Sequence, residues 1–187
     1  MISGAVDLAQ DVLIRPVALD DAAALARAYR RNRDHLDPWD PDRPAAFYTE
    51  EGQVERVQVQ LADRRAGRSA HWVLVSGAEI VGHAAVSNIV LGPARSGNLG
   101  YWIDAEHVGR GLASAAARHV CEAADARLGL HRVEAGTLLH NTASQRVLTK
   151  CGFEEYGVAP SFLYIKGAWR DHRLFQKILN DRPVPEG

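Results

Sequence analysis

Only two cysteines, Cys121 and Cys151, occur in the 187 residues, too few for a disulfide framework and consistent with a reducing compartment. No apolar run approaches the roughly 20 residues of a membrane-spanning helix. The opening stretch MISGAVDLAQDVLIRP lacks the charged-then-apolar order of a secretion signal. Neither sign of charge is in excess: 22 Lys and Arg stand against 23 Asp and Glu, a net charge of −1. No whole-protein field therefore draws the chain to nucleic acid or to an anionic membrane, and a charged partner must be recognised locally. No metal-ligand spacing is present. What remains, 47% hydrophobic and 24% charged residues, is the composition of an ordinary globular chain. The expectation is one cytoplasmic domain spanning 1–187, without metal, nucleic acid or membrane, with a homodimer left open.

The chain alternates strand and helix patterns. VLIRPV (12–17) predicts a first strand. Asp20 is placed to cap a helix in which Ala22, Leu25, Ala26 and Tyr29 share a face. DPWDPDRP (37–44) ends that helix with three prolines, and a second helix is expected over roughly 49–66. HWVLVS (71–76) and IVGHAAVSNIVL (80–91) predict an antiparallel hairpin, and NLGYWID (98–104) the next strand. Leu112, Ala116, Val120, Ala124 and Leu128 recur every four residues, predicting a helix over 110–128 that Gly129 ends. HRVEAGTLL (131–139) is again strand-like, so strand, helix and strand make one crossover unit with a parallel pair. A helix over about 142–150 and a hairpin over 162–179, turning near Gly167 and Ala168, complete the chain.

The join in the crossover unit, GYWIDAEHVGRGLASAAARH (100–119), carries the first chemical signal. A helix N-terminus offers about four unpaired backbone N–H groups and partial positive charge. Gly109 and Gly111, with Arg110 between them, would let a phosphate approach that backbone; they equally make a tight turn. A P-loop is excluded because Leu112 and Ala113 stand where Lys and Ser or Thr would follow. A dinucleotide fingerprint is a poor fit, since Ser114 follows the glycines and Glu134 lies inside the next strand.

Residues 98–153, with LGLHRVEA and NTASQRVLTKCGF, resemble the acyl-CoA-binding half of the GNAT acetyltransferases, particularly the RimJ/RimL type that acetylates ribosomal-protein N-termini; HLDPW (35–39) resembles the family's early loop. The resemblance implies an α/β (α+β) GNAT fold: a mixed, mostly antiparallel sheet with a central parallel splay and flanking helices. It implies acetyl-CoA as cosubstrate, with the pyrophosphate on the backbone of Val108, Gly109, Arg110, Gly111, Leu112 and Ala113, although Val108 replaces the family's usual polar residue. The thioester would lie in the splay against backbone N–H groups near Tyr101, Trp102 and Ile103.

Acetyl transfer to an amine needs a neutral amine, a stabilised oxyanion and a proton for the departing thiolate. The superfamily's usual tyrosine falls here on Leu148, so the resemblance transfers the proton-donor role to Ser144; Ser144 could instead cap its own helix. Asn141 is a cap, a partner of the pantetheine arm, or both. Relatives often carry Glu before GYW as base, and this chain has Asn98, which cannot take a proton. Glu106, Glu134, His83 and His172 are the substitutes that could act through water. The acceptor is expected against Trp39, with Asp37, Asp40 and Asp42 beside it, and against Asn98, Tyr164 and Trp169. A protein or peptide N-terminal α-amine is the favoured acceptor. A small-molecule amine, or a module that binds acyl-CoA without turnover, are the alternatives.

Overall fold

A computed structural model describes residues 4–9 and 11–183; residues 1–3 and 10, part of the stretch searched for a secretion signal, lie outside them. Eight strands form one sheet: β1 (Val6–Ala9), β2 (Val12–Pro16), β3 (Ala70–Ser76), β4 (Glu79–Val90), β5 (Ser96–Ile103), β6 (Arg132–Leu138), β7 (Glu154–Ile165) and β8 (Ala168–Ile178). Their order is β1-β2-β3-β4-β5-β6-β8-β7. Each neighbouring pair is antiparallel except β5 and β6. The five helices are α1 (Ala22–Arg31), α2 (Arg33–Leu36), α3 (Glu50–Arg65), α4 (Leu112–Ala126) and α5 (Thr142–Lys150). This is the mixed, mostly antiparallel sheet with one parallel pair that the resemblance implies, and no helix among the described residues is long and apolar enough to cross a membrane.

Strand alternation sorts the core into two layers. Trp72 and Leu74 of β3 face Leu112, Ala116 and Val120 of α4. Val73, between them, faces Leu25 and Tyr29 of α1 and Val57 of α3. The predicted apolar stripe of α4 is accordingly buried, and Cys121 is packed beside it. Burial pushes the Cys121 thiol up to about 11, so it is a core residue rather than a nucleophile.

Three local expectations need correction. Asp21, not Asp20, organises the start of α1: its carboxylate accepts the Ala18 N–H at 2.8 Å and pairs with Arg15 at 2.6 Å. The strand β1 precedes the predicted first strand, and β7 begins at Glu154, before the predicted 162. These last two are edge or near-edge segments whose mixed exposure weakens the alternation that marks a strand.

The feature that positions the site is the end of the parallel pairing. β4 pairs with β5 from Ser96 to Ile103, whereas β6 pairs with β5 only at Ser96, Gly97 and Asn98. Beyond Asn98 the two strands diverge, and the β6-facing edge of β5 opens into a gap.

Candidate functional site

The turn into α4 shows why glycine is needed there. Gly109 and Gly111 have φ of 79° and 78°, in the left-handed region where a side chain is strained. Gly111 is the N-cap of α4, whose first residues are Leu112, Ala113 and Ser114. Their N–H groups therefore face the cleft beneath the turn.

That cleft, of about 390 Å³, runs from the end of β5 past the start of α4 to the first turns of α5. Of the residues expected at the cofactor, it is lined by Tyr101, Trp102, Ile103, Val108, Gly109, Gly111, Leu112, Ala113, Asn141 and Ser144. Arg110 does not line it: its guanidinium pairs with Asp11 in the β1–β2 turn. The orientation of β5 follows from one bond. The Asp104 N–H donates to the Val81 carbonyl of β4 at 2.9 Å, so by alternation Trp102 also points its backbone at β4. The N–H and C=O groups of Tyr101 and Ile103 consequently face the gap.

Asn141 caps α5, its Oδ1 accepting the Ser144 N–H at 3.1 Å. Because that cap is provided, the Ser144 hydroxyl is not consumed by its own helix. Ser144 Oγ lies 2.9 Å from the Tyr101 hydroxyl, which is also 3.4 Å from the Ser144 carbonyl oxygen. Burial pushes the Tyr101 phenol up to about 12, outweighing the opposing effect of the Ser144 bond; Tyr101 is therefore a neutral donor. Leu148, at the superfamily's usual tyrosine position, is fully buried.

On the α1 side, Trp39, Asp40, His35 and Leu36 complete the cleft. Trp39 is half-buried and its ring lies 5.5 Å from that of His140. The three aspartates beside Trp39 are not equivalent. Asp37 and Asp42 both hold Lys166 of the closing hairpin, at 2.5 and 2.7 Å, whereas Asp40 lines the cleft with Arg43 at 3.3 Å. Trp102 donates its indole N–H to the Tyr29 hydroxyl at 3.0 Å.

Other residues singled out by sequence lie elsewhere. Asn98 marks the fork, opposite Ser87 and Glu134, and does not line the cleft. Tyr164 is exposed and packs edge-on against the exposed Trp169. Glu106 is exposed in the 3-10 turn after β5. Glu134 accepts the Tyr156 hydroxyl and pairs with Arg132. His83 is buried against His71, with ring nitrogens 3.4 Å apart, and burial depresses it well below an ordinary imidazole. His172 is buried with its Nδ1 3.0 Å from the Arg170 carbonyl. None of these four base candidates lines the cleft, whose titratable side chains are His35, Asp40, Tyr101 and His107. Sequence reading missed His35 and His107. His35 stands in the HLDPW loop, but what distinguishes it is a contact with β5 that no local pattern carries.

The neighbourhood is held rigid by Asp104. This buried carboxylate accepts from Arg31 Nε at 2.8 Å, Asn32 Nδ2 at 2.7 Å and the Glu106 N–H at 2.9 Å. Burial works against its charge, but Asn32, the Glu106 N–H and Arg31 together hold it down at about 2. The bonds tie the C-terminal end of α1 to the end of β5, and so position α2 over the gap.

Comparisons with known proteins agree with this architecture. Residues 11–154 match the family described as an acetyltransferase (GNAT) domain. The chain is 33% identical over 165 residues to the [ribosomal protein uS5]-alanine N-acetyltransferase of Escherichia coli, covering 87% of this chain and 85% of the relative. It superposes with a TM-score of 0.93 on the crystal structure of the ribosomal-protein-S5-alanine acetyltransferase of Vibrio fischeri, at 33% identity, covering 97% of this chain and all of that one. The Mycobacterium smegmatis RimJ in complex with CoA-disulfide gives a TM-score of 0.85 at 33% identity, with 89% and 81% covered. The chain belongs to the GNAT family of acetyltransferases, enzymes that transfer acetyl from acetyl-CoA to an amine.

Proposed function

We propose that the cleft binds acetyl-CoA and that the enzyme acetylates the N-terminal α-amine of a protein or peptide. The observation that carries this reading is the continuity of one cleft. It joins the α4 N-terminus, the Tyr101–Ser144 hydroxyl pair and, past the edge of β5, Trp39 and Asp40. In this arrangement the backbone N–H groups at 111–114 hold the pyrophosphate. The N–H groups of Tyr101 and Ile103 face the thioester oxygen, where negative charge grows during attack. Ser144 donates the proton that the thiolate takes up, and Asn141 orients it by capping α5. Trp39 and Asp40 receive the acceptor ammonium. The relatives named for alanine N-acetylation of a ribosomal protein support an α-amine acceptor.

Ionisation favours the same choice. A peptide α-amine, with a reference pKa near 7.7–8.0, is roughly a tenth neutral at pH 7, whereas a lysine near 10.4 is neutral at only about 0.04%. With no carboxylate at Asn98, lysine would need roughly 3 kcal/mol more help with deprotonation. Peptides with free N-termini are therefore expected to be acetylated faster than N-blocked peptides containing lysine, with the modified site located by mass spectrometry. Modification of lysine or polyamines while free N-termini stay untouched would reverse the assignment.

A further inference from the structure

The gap beside β5 leaves the Ile103 carbonyl without a strand partner on the β6 side, because parallel pairing stops at Asn98. His35 of α2 supplies the partner: its Nε2 lies 3.2 Å from the Ile103 oxygen. A carbonyl only accepts, so Nε2 must carry the proton of that bond. In the neutral ring the other nitrogen, Nδ1, then keeps its lone pair. His35 also lines the cleft, beside Trp39 and against the segment of β5 whose N–H groups face the gap. A ring held by one nitrogen with the other left basic is the arrangement of a histidine that abstracts protons.

We propose that His35 is the general base for the acceptor amine, with Nδ1 as the accepting atom. The proposal rests on the acetyl-transfer reading of this cleft and supplies the base that Asn98 cannot. The acceptor reacts as its neutral amine, one ammonium proton having gone to solvent, and Nδ1 takes the nitrogen's second proton as the amine lone pair attacks the thioester carbon. The C–N bond forms, the C–S bond breaks with its electron pair going to sulfur, and the amide is completed with that second proton on His35. The thiolate takes up one proton by way of Ser144, the proton on His35 passes to solvent to balance it, and each turnover from the ammonium form releases one proton. Charge on the ring strengthens the bond to the Ile103 carbonyl, which becomes charge-assisted as the proton arrives. The titratable and charged groups around His35 are Asp40, His107 and Tyr101 across the cleft, Asp104 with Arg31 beside Ile103, and Arg33 and Asp34 on its own helix. Of these, Asp40 is the rival base.

The test is His35→Gln, which keeps an amide N–H for the Ile103 carbonyl but cannot take a proton. The acceptor is whichever amine the wild type turns over, so that a wrong acceptor class is recognised in the wild type alone. kcat/KM is expected to fall on the order of 10²-fold, the usual effect of a lost base, while CoA affinity by calorimetry stays unchanged. In the wild type, kcat/KM should fall at acid pH one proton more steeply than the acceptor's own ionisation requires. The variant should follow the acceptor alone. Added imidazole should restore part of the activity to His35→Ala. Activity of His35→Gln within about threefold of wild type would overturn the proposal, as would loss of the extra proton in Asp40→Asn but not in His35→Gln, which would make Asp40 the base. The wild-type profile decides the matter even if neither His35 variant folds: acid-side behaviour explained by the acceptor alone removes the need for any enzyme base.

Discussion

Removing the Ser144 hydroxyl separates a proton donor from a structural serine. The two roles predict different losses because Asn141, not Ser144, caps α5. Ser144→Ala removes a single side-chain bond, to the Tyr101 hydroxyl at 2.9 Å, and a bond of that kind contributes about 1 kcal/mol to stability. If the hydroxyl also serves the leaving thiolate, the chemical step loses on the order of 10²-fold, equivalent to about 2.7 kcal/mol of barrier. Tyr101 stands behind it. With its phenol pushed up to about 12 by burial, it stays protonated through any ordinary assay pH and holds the Ser144 hydroxyl in place. Tyr101→Phe should therefore lower kcat by a smaller factor, about 3- to 10-fold, in line with one lost neutral hydrogen bond. The double variant should be little worse than Ser144→Ala, because the tyrosine acts through the serine. The assay is steady-state thiol release at saturating amine, read as kcat with KM for acetyl-CoA alongside, and with thermal unfolding to follow stability. A Ser144→Ala enzyme that keeps its kcat while losing only stability would refute the reasoning, and so would full additivity of the two substitutions.

Two further perturbations probe the frame. Asp104→Asn should destabilise the protein by roughly 2–4 kcal/mol, since it leaves the buried Asn32 donor and the Arg31 guanidinium facing an amide; unchanged thermal unfolding would show that the carboxylate network contributes little. In the wild type, stability should fall in two stages. His71, held neutral to about 4 by burial against 6.5 unfolded, withdraws its contribution as pH drops from 6.5 to 4. Asp104, whose folded value is about 2 against 3.8, withdraws its contribution below about pH 4. Gly111→Val should weaken CoA binding by obstructing close approach of the pyrophosphate. Its Cβ meets open space in the free protein, but the φ of 78° adds strain of about 1–3 kcal/mol. Undiminished CoA affinity in a folded variant would place the phosphates elsewhere.

Much of the fold was legible because it is written in local periodicity. Leu112, Ala116, Val120 and Ala124 recur at helical spacing and are buried together, and the glycine pair before them marks a turn whose left-handed φ values only glycine adopts easily. The placement of Asn141 and Ser144 at the start of α5 followed from the same kind of signal. The base and the charges were not legible, because they depend on contacts between distant segments. Arg110 looked like a free cation beside the phosphate turn, yet it pairs with Asp11, 99 residues earlier in the chain. The three aspartates beside Trp39 looked alike, and only Lys166 distinguishes them by holding two. His35 could not be ranked by sequence, since what orients it is the carbonyl of Ile103, 68 residues away. The sequence marks Tyr101 only as part of a strand, and its hydroxyl meets Ser144 through the packing of α5, 43 residues on.

The position at which β5 and β6 part has a consequence for where acid and base can stand. Had parallel pairing continued from Asn98 to Ile103, the backbone groups of Tyr101 and Ile103 would be satisfied within the sheet, as buried backbone groups ordinarily are. No N–H would then be left to stabilise a developing oxyanion, and no carbonyl would require a donor from outside. Because pairing stops after three residue pairs, both needs arise at once, on the same edge of the same strand. In the proposed reading the N–H groups meet the thioester carbonyl, while the Ile103 C=O meets His35. The family resemblance implies a glutamate base before GYW, which would come from β5 itself, at the fork. Here the fork holds Asn98, and a base recruited to the Ile103 carbonyl comes from α2, whose position depends on the Asp104 network. Loosening that network by Asp104→Asn should thus lower kcat/KM as well as stability, by displacing the imidazole rather than by altering CoA binding. The discriminating measurement is the acid side of the kcat/KM profile: with His35 displaced, it should lose the enzyme's own proton while CoA affinity is retained.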